Sequence, residues 1–313
     1  MPELAPSAQG FLAQLQRQLN PNGESEPVSL SQTNSSGDET TKPLTKEEFY
    51  EQRISELEAK ADKESNTLFR DTAYIKVALE TKAEDYERAK RIVQKIDNND
   101  LRADALSFVL YRAALFFLEK ADIERAAELA SQITDVLRRS VVRIVIAQRL
   151  SSPAPEKSRP EESTLARQRA FDLLVDIGRE LKKEGPSVSA ARILLARTAV
   201  LAKLDEDQAL TSLESSIQMI NKLEGFDLRD GSAPNLGLGI LAASGATVER
   251  PRLGFDFRSA IAPLMKTRFE QVAAAPERFT AREIRGVGRL EVAKLYLRMT
   301  SDRRPKDSIR TPR

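Results

Sequence analysis

Arginines set inside apolar helical sequence are the most conspicuous chemistry in this chain. Arg138, Arg139, Arg143 and Arg149 sit on or beside Val141, Val142, Ile144, Val145 and Ile146, and Arg112 stands likewise within 100–119. A guanidinium forks onto a carboxylate through two parallel N–H bonds. Such a set therefore reads either as intramolecular ion pairs or as the lining of a groove for a partner's acidic side chains. Arg112, Arg138, Arg139 and Arg143 are the candidate partner-binding cations. A second candidate lies near the N-terminus, where Phe11, Leu12, Leu15 and Leu19 fall on one helical stripe. Phe11 and Leu15 would lead a short amphipathic helix offered to a partner's groove.

Other motifs point to less. Gly237-Leu238-Gly239-Ile240-Leu241-Ala242 fits G-x-G-x-x-A. A dinucleotide fingerprint, however, needs a strand before it and a helix N-terminus after it, to aim N–H groups at the pyrophosphate. Here a turn precedes (Asp230 to Pro234) and a poor helix start follows (Ala242 to Gly245). Asp97-Asn98-Asn99-Asp100 lacks the later Gly and Glu that a calcium loop requires, and reads as a helix-capping turn. Pairs such as Glu87 with Arg91, or Glu124 with Glu128, have helix-face spacing rather than the look of an acid/base pair.

Composition closes further doors. The 313 residues include no His, Cys or Trp. That removes a Ser-His-Asp triad, a cysteine nucleophile, zinc fingers, haem and iron–sulfur clusters. No cofactor, no metal site and no enzymatic activity are expected. Lys and Arg number 49 against 47 Asp and Glu, a net charge of +2, so no strong overall field draws the chain to nucleic acid or membrane. The last residues are more basic, with Arg303, Arg304, Lys306, Arg310 and Arg313 against Asp302 and Asp307. Such a tail can touch nucleic acid or acidic lipid, yet it contains no aromatic residue to stack bases.

These side chains must be positioned by helices. Thr45 and Glu48 form a capping box, and Tyr50, Ile54, Leu57 and Ala61 then share one face. Periodicity predicts further helices over 66–82, 85–97, 100–119, 122–133, 135–151, 162–184, 187–203 and 206–222, an all-α chain. Residues 1–44 read as a short amphipathic segment on a disordered Ser/Thr/Asn/Gly/Pro linker. A helical domain covers 45–223, with a Pro-rich linker near 152–160. Residues 224–256 hold six of the 13 glycines and alternate Leu236, Leu238 and Ile240, then Leu253, Phe255 and Phe257. The pattern predicts an ordered flap or β-hairpin. Helices return over 257–300, where Pro263 kinks or restarts the chain and Gly286 and Gly288 suggest close packing. The basic tail, 301–313, follows.

Internal similarity is the strongest signal. Asp85-Tyr86-Glu87-Arg88-Ala89 recurs 37 residues later as Asp122-Ile123-Glu124-Arg125-Ala126. Ile92, Val93 and Ile96 answer to Leu129, Ala130 and Ile133, and Leu101-Arg102 to Leu137-Arg138. A fainter copy opens at Lys203-Leu204-Asp205, with Ala209 four residues after the Asp. Each Asp should cap a helix, and each Ala should let a neighbouring helix approach. On these residues 65–222 resembles a tetratricopeptide-like helical repeat, whose consensus Trp, Leu-Gly pair and Pro are absent here. The resemblance implies antiparallel helical hairpins stacked as a short α-solenoid.

The expected function is a non-enzymatic scaffold or adaptor holding a protein or peptide in a helical groove. A nucleic-acid-associated accessory protein using the Arg clusters and tail is a second reading, although nucleic acid is not the expected partner. An enzyme with a carboxylate site near the Gly-rich segment is a third. No stretch approaches the length of an apolar membrane span, and the N-terminus lacks a secretory pattern, so a cytoplasmic protein is expected.

Overall fold

The computed structural model describes residues 45–152, 160–234, 236 and 253–301, and every regular element among them is a helix. The chain divides into two compact units, with the boundary between Arg102 and Ala103.

The first unit contains α1 (Lys46–Asp62), α2 (Thr67–Glu80), α3 (Tyr86–Val93) and the opening turn of α4 (Asn99–Glu119). The Thr45–Glu48 capping box forms as its sequence requires. Helix α2 buries Tyr74, Ile75, Val77 and Ala78 between α1 and α3. Asp71, 1% exposed on α2, accepts the backbone N–H groups of Asp97 (2.9 Å) and Asn98 (3.0 Å). Asn98 in turn caps α4 by accepting from Asp100 and Leu101 at 3.0 Å. The Asp97–Asp100 run is therefore a capping turn, as its sequence suggests.

The second unit holds the rest of α4, then α5 (Ile123–Gln132), α6 (Val136–Ser151), α7 (Pro160–Glu184), α8 (Val188–Leu201), α9 (Glu206–Ile220), α10 (Phe257–Ile261), α11 (Phe269–Ala274) and α12 (Arg282–Ser301). Chain neighbours pack in succession, α5 on α6, α6 on α7 and α8 on α9, while α8 also meets α6 and α10. Helix α8 is the axis of this core, burying ten of its 14 residues.

The copies share more than their alanines. Ala89, Ala126 and Ala209 are all buried within 2% exposure, as a close helix approach demands. Arg102 donates to the carbonyl of Ile96 (2.9 Å), and Arg139 donates to that of Ile133 (2.6 Å). Each arginine lies six residues past the carbonyl it caps, and the two pairs stand 37 residues apart. By function, then, Arg102 corresponds to Arg139, one position beyond the Leu137-Arg138 alignment read from the sequence. The Asp caps differ. Asp122 accepts from Arg125 N–H at 3.0 Å and Asp205 from Gln208 N–H at 2.9 Å. Asp85 makes no such bond, because a 3₁₀ turn over Ala83–Asp85 leads into α3.

The β-hairpin does not form in the described part of 224–256. Residues 224–234, 236 and 253–256 contain no strand. Phe226, Leu228, Leu236 and Phe255 are all buried, so the alternation serves anchoring rather than a two-sided ribbon. Arg192 of α8 holds this segment through Asp230 and the Ser232 hydroxyl (2.8 Å). Residues 237–252, including the G-x-G-x-x-A run, lie outside the described residues. Pro263 ends rather than kinks its helix: α10 stops at Ile261 and a 3₁₀ turn follows at Leu264–Lys266. Of the paired glycines, only Gly288 marks close packing. A Cβ there would stand 3.1 Å from Pro276 Cβ, whereas one at Gly286 would meet nothing within 4 Å.

Candidate functional site

Helix α6 is amphipathic in the wrong sense for a free basic groove: nine of its 16 residues are buried, and Arg138 is one of them. The Arg138 guanidinium donates to the Leu236 carbonyl (2.9 Å), to the Asp104 carbonyl (3.1 Å) and to the Asp104 carboxylate. It also stacks 5.4 Å from the Phe108 ring centroid. Arg139 and Arg143 converge on one carboxylate, Glu180 of α7, at 3.1 and 2.9 Å. The structure thus brings these three arginines together on one helix but directs each into the protein. Arg112 is half-buried on α4. Phe11 and Leu15 lie outside the described residues.

A further buried cation escaped sequence reasoning. Arg197 of α8 is 8% exposed and has no carboxylate partner among the described residues. It donates to the Leu174 carbonyl (2.6 Å) and the Ser212 hydroxyl (2.8 Å), and burial pushes its guanidinium down to about 10. Gly178 makes the room: a Cβ there would stand 2.9 Å from Arg197 Cζ. Arg197 therefore joins α7, α8 and α9 from inside and faces no open site.

The carboxylates are equally committed. In the first unit Tyr74 donates to Asp62 (2.6 Å), and Lys95 bridges Glu58 (2.8 Å) and Asp62 (3.1 Å). The Tyr74 hydroxyl, followed by Lys95, holds Asp62 below its ordinary value, while Glu58 foremost holds Lys95 above its own. The same direction recurs elsewhere. Glu124 is lowered by Arg169, and Glu277 by Arg289. A group that transfers protons near neutrality needs the opposite shift. Among the described residues, no cluster of three or more acidic side chains could hold a metal ion.

Among the described residues, an open groove of about 560 Å³ in the first unit is lined mainly by charged groups, among them Glu51, Glu58, Asp85, Arg88 and Lys95. Another, of about 630 Å³, lies in the second unit, between the turn at 221–229 and the N-terminal half of α12. Leu223, Ile284 and Val287 supply apolar lining, with Glu224, Asp227 and Arg229 at its margin. Asn221 ties the two sides together by donating to the Arg278 carbonyl (2.9 Å) and accepting from the Thr280 N–H (2.9 Å). Each side is an end of a helical element, so the groove is a product of packing and no local motif announces it. No family model, curated protein or solved structure matches the chain.

Proposed function

We propose that the protein is a non-catalytic protein-binding scaffold, and that the groove between the 221–229 turn and α12 receives a partner's peptide or helix. The finer architecture we propose is tetratricopeptide-like, with helical hairpins as its repeating unit. The 37-residue recurrence of both the buried alanine and the arginine–carbonyl cap supports it.

One observation carries the functional reading. Arg138, Arg139 and Arg143 are consumed in joining helices, and the groove beside α12 is open and lined by both apolar and charged groups. Partners dock on such a surface through apolar anchors rimmed by charge. Replacing Leu223 by Glu places a charge among those anchors. Affinity capture should recover a partner with the wild-type chain and lose it with Leu223→Glu at unchanged melting temperature. Capture of the same proteins by both would remove the groove from the function.

A further inference from the structure

The near-neutral total hides an uneven distribution of charge. Residues 282–313 carry ten Lys and Arg against four Asp and Glu, a net of +6 in a chain whose total is +2, so the preceding 281 residues carry −4. Helix α12 opens this basic stretch and is the least buried long helix of the second unit. Only Gly288, Glu291 and Val292 of its 20 residues are buried.

Its outward face has an ordered pattern. At about 100° per residue, Gly286, Leu290, Ala293 and Leu297 line up along the side opposite Gly288 and Val292. Leu290 is 48% exposed and Leu297 63%. Cations predominate on both sides of this strip, Lys294 and Arg298 with the acidic Glu283 along one edge and Arg282 and Arg289 along the other. Arg289 pairs with Glu277 and Lys294 with Glu291, whereas Arg282 and Arg298 have no ion pair among the described residues. Next to the Arg289 edge, the rings of Tyr296 and Phe269 stack 5.3 Å apart and remain half exposed.

We propose that α12 docks on an anionic lipid surface. Leu290, Ala293 and Leu297 enter the headgroup boundary, and the bordering arginines and lysine reach lipid phosphates and carboxylates. This is the division of labour of an interfacial helix, in which long cationic side chains snorkel from an apolar centre. Charge excludes a simpler occupant. A second α12 would set two net-positive borders, each of four cations against the single Glu283, face to face. A nucleic acid would use the cations and leave the leucines idle. Neither the apolar strip nor a single charge cluster holds a protein on a bilayer, but the two signals together do. The inference stands apart from the groove, which uses other residues.

Cosedimentation of the full chain with vesicles tests it, using phosphatidylcholine alone against a phosphatidylcholine–phosphatidylserine mixture. Binding should require phosphatidylserine and fade as salt rises. Leu290→Glu/Leu297→Glu, and separately Arg282→Ser/Arg298→Ser, should each weaken partitioning about tenfold or more. The milder Leu297→Ser should give a smaller loss, with circular dichroism and melting matching the wild type. Binding to neither vesicle, or to both equally, overturns the proposal. So does wild-type binding by the leucine variant, which would leave charge alone. A dimer that the same variant dissociates would make the strip a self-interface. Equally tight binding of an RNA homopolymer, indifferent to the leucine variant, would make the partner a polyanion.

Discussion

Helices α6 and α12 are both rich in arginine, and they use it in opposite ways. On α6 three of the four arginines point inward to fixed acceptors, Arg138 to Asp104 and Leu236, Arg139 and Arg143 to Glu180, while Arg149 at the last turn is exposed. On α12 Arg285 donates to the Phe279 carbonyl, but Arg282, Arg289, Lys294 and Arg298 flank an exposed apolar strip, and Arg282 and Arg298 find no carboxylate among the described residues. Residue type does not separate the two cases. Helix α6 is covered by α5, α7 and α8, while α12 leans on α10, α11 and the 3₁₀ turn at Ala275–Arg278 by one narrow face. Charge that is enclosed becomes structure, and charge left at the edge of an apolar strip is free to meet a partner.

The sharpest test of this contrast pairs Arg138→Met with Arg298→Met. The first removes the donor to two carbonyls and to the partly exposed Asp104 carboxylate, and should cost about 2–3 kcal/mol in chemical denaturation. The second should stay within about 0.5 kcal/mol. Equal effects would erase the distinction between the helices. Next in size is Glu180→Gln, which removes the charge shared by Arg139 and Arg143 and should cost about 1–3 kcal/mol. A melting temperature indifferent to it would return both arginines to the pool of binding residues.

Within α12, Gly288→Ala and Gly286→Ala should move stability in opposite directions. The new methyl at 288 presses on Pro276 and should cost about 1–2 kcal/mol. At 286 it meets open space and should add about 0.5–1 kcal/mol of helix stability. Two losses would mean that the outward face is covered.

The smallest effect concerns acid. The Tyr74 and Lys95 bonds depress the folded-state pKa of Asp62 below its unfolded value. Its contribution is therefore present above the ordinary carboxylate range and disappears as pH falls through the depressed value. Asp62→Asn should lower stability near neutrality and narrow its gap to the wild type on acidification. A gap independent of pH would show that the Asp62 charge contributes nothing.

Much of the scaffold was legible in the chain. Helix positions, the Thr45–Glu48 box, the Asp122 and Asp205 caps and the buried alanines all follow from local spacing. They depend on backbone groups within a few residues. The Asp85 cap failed because the preceding residues wind as 3₁₀, a choice that the local pattern leaves open. No strand forms in the described part of 224–256, because alternation of apolar residues is equally compatible with a coil pinned to helices by Arg192. The outward strip of α12 left a trace that went unused. Ile284, Val287, Leu290, Leu295 and Leu297 spread over about 160° of a helix at 100° per residue, wider than the narrow face that α12 buries. Leu290 and Leu297, at one end of that arc, therefore face away from the core.

The residue order by itself determined that this is a helical protein, where most of its helices begin, and that a short Asp-x-Glu-Arg-Ala pattern recurs after 37 residues. Those properties arise from hydrogen bonds and apolar periodicity over short stretches of chain. Tertiary structure alone decided the fate of each arginine, the space that Gly178 leaves for Arg197, and the groove beside Leu223. Each depends on which element arrives from elsewhere in the chain to cover a side chain, and desolvation then turns the same guanidinium into a bolt or leaves it as a contact.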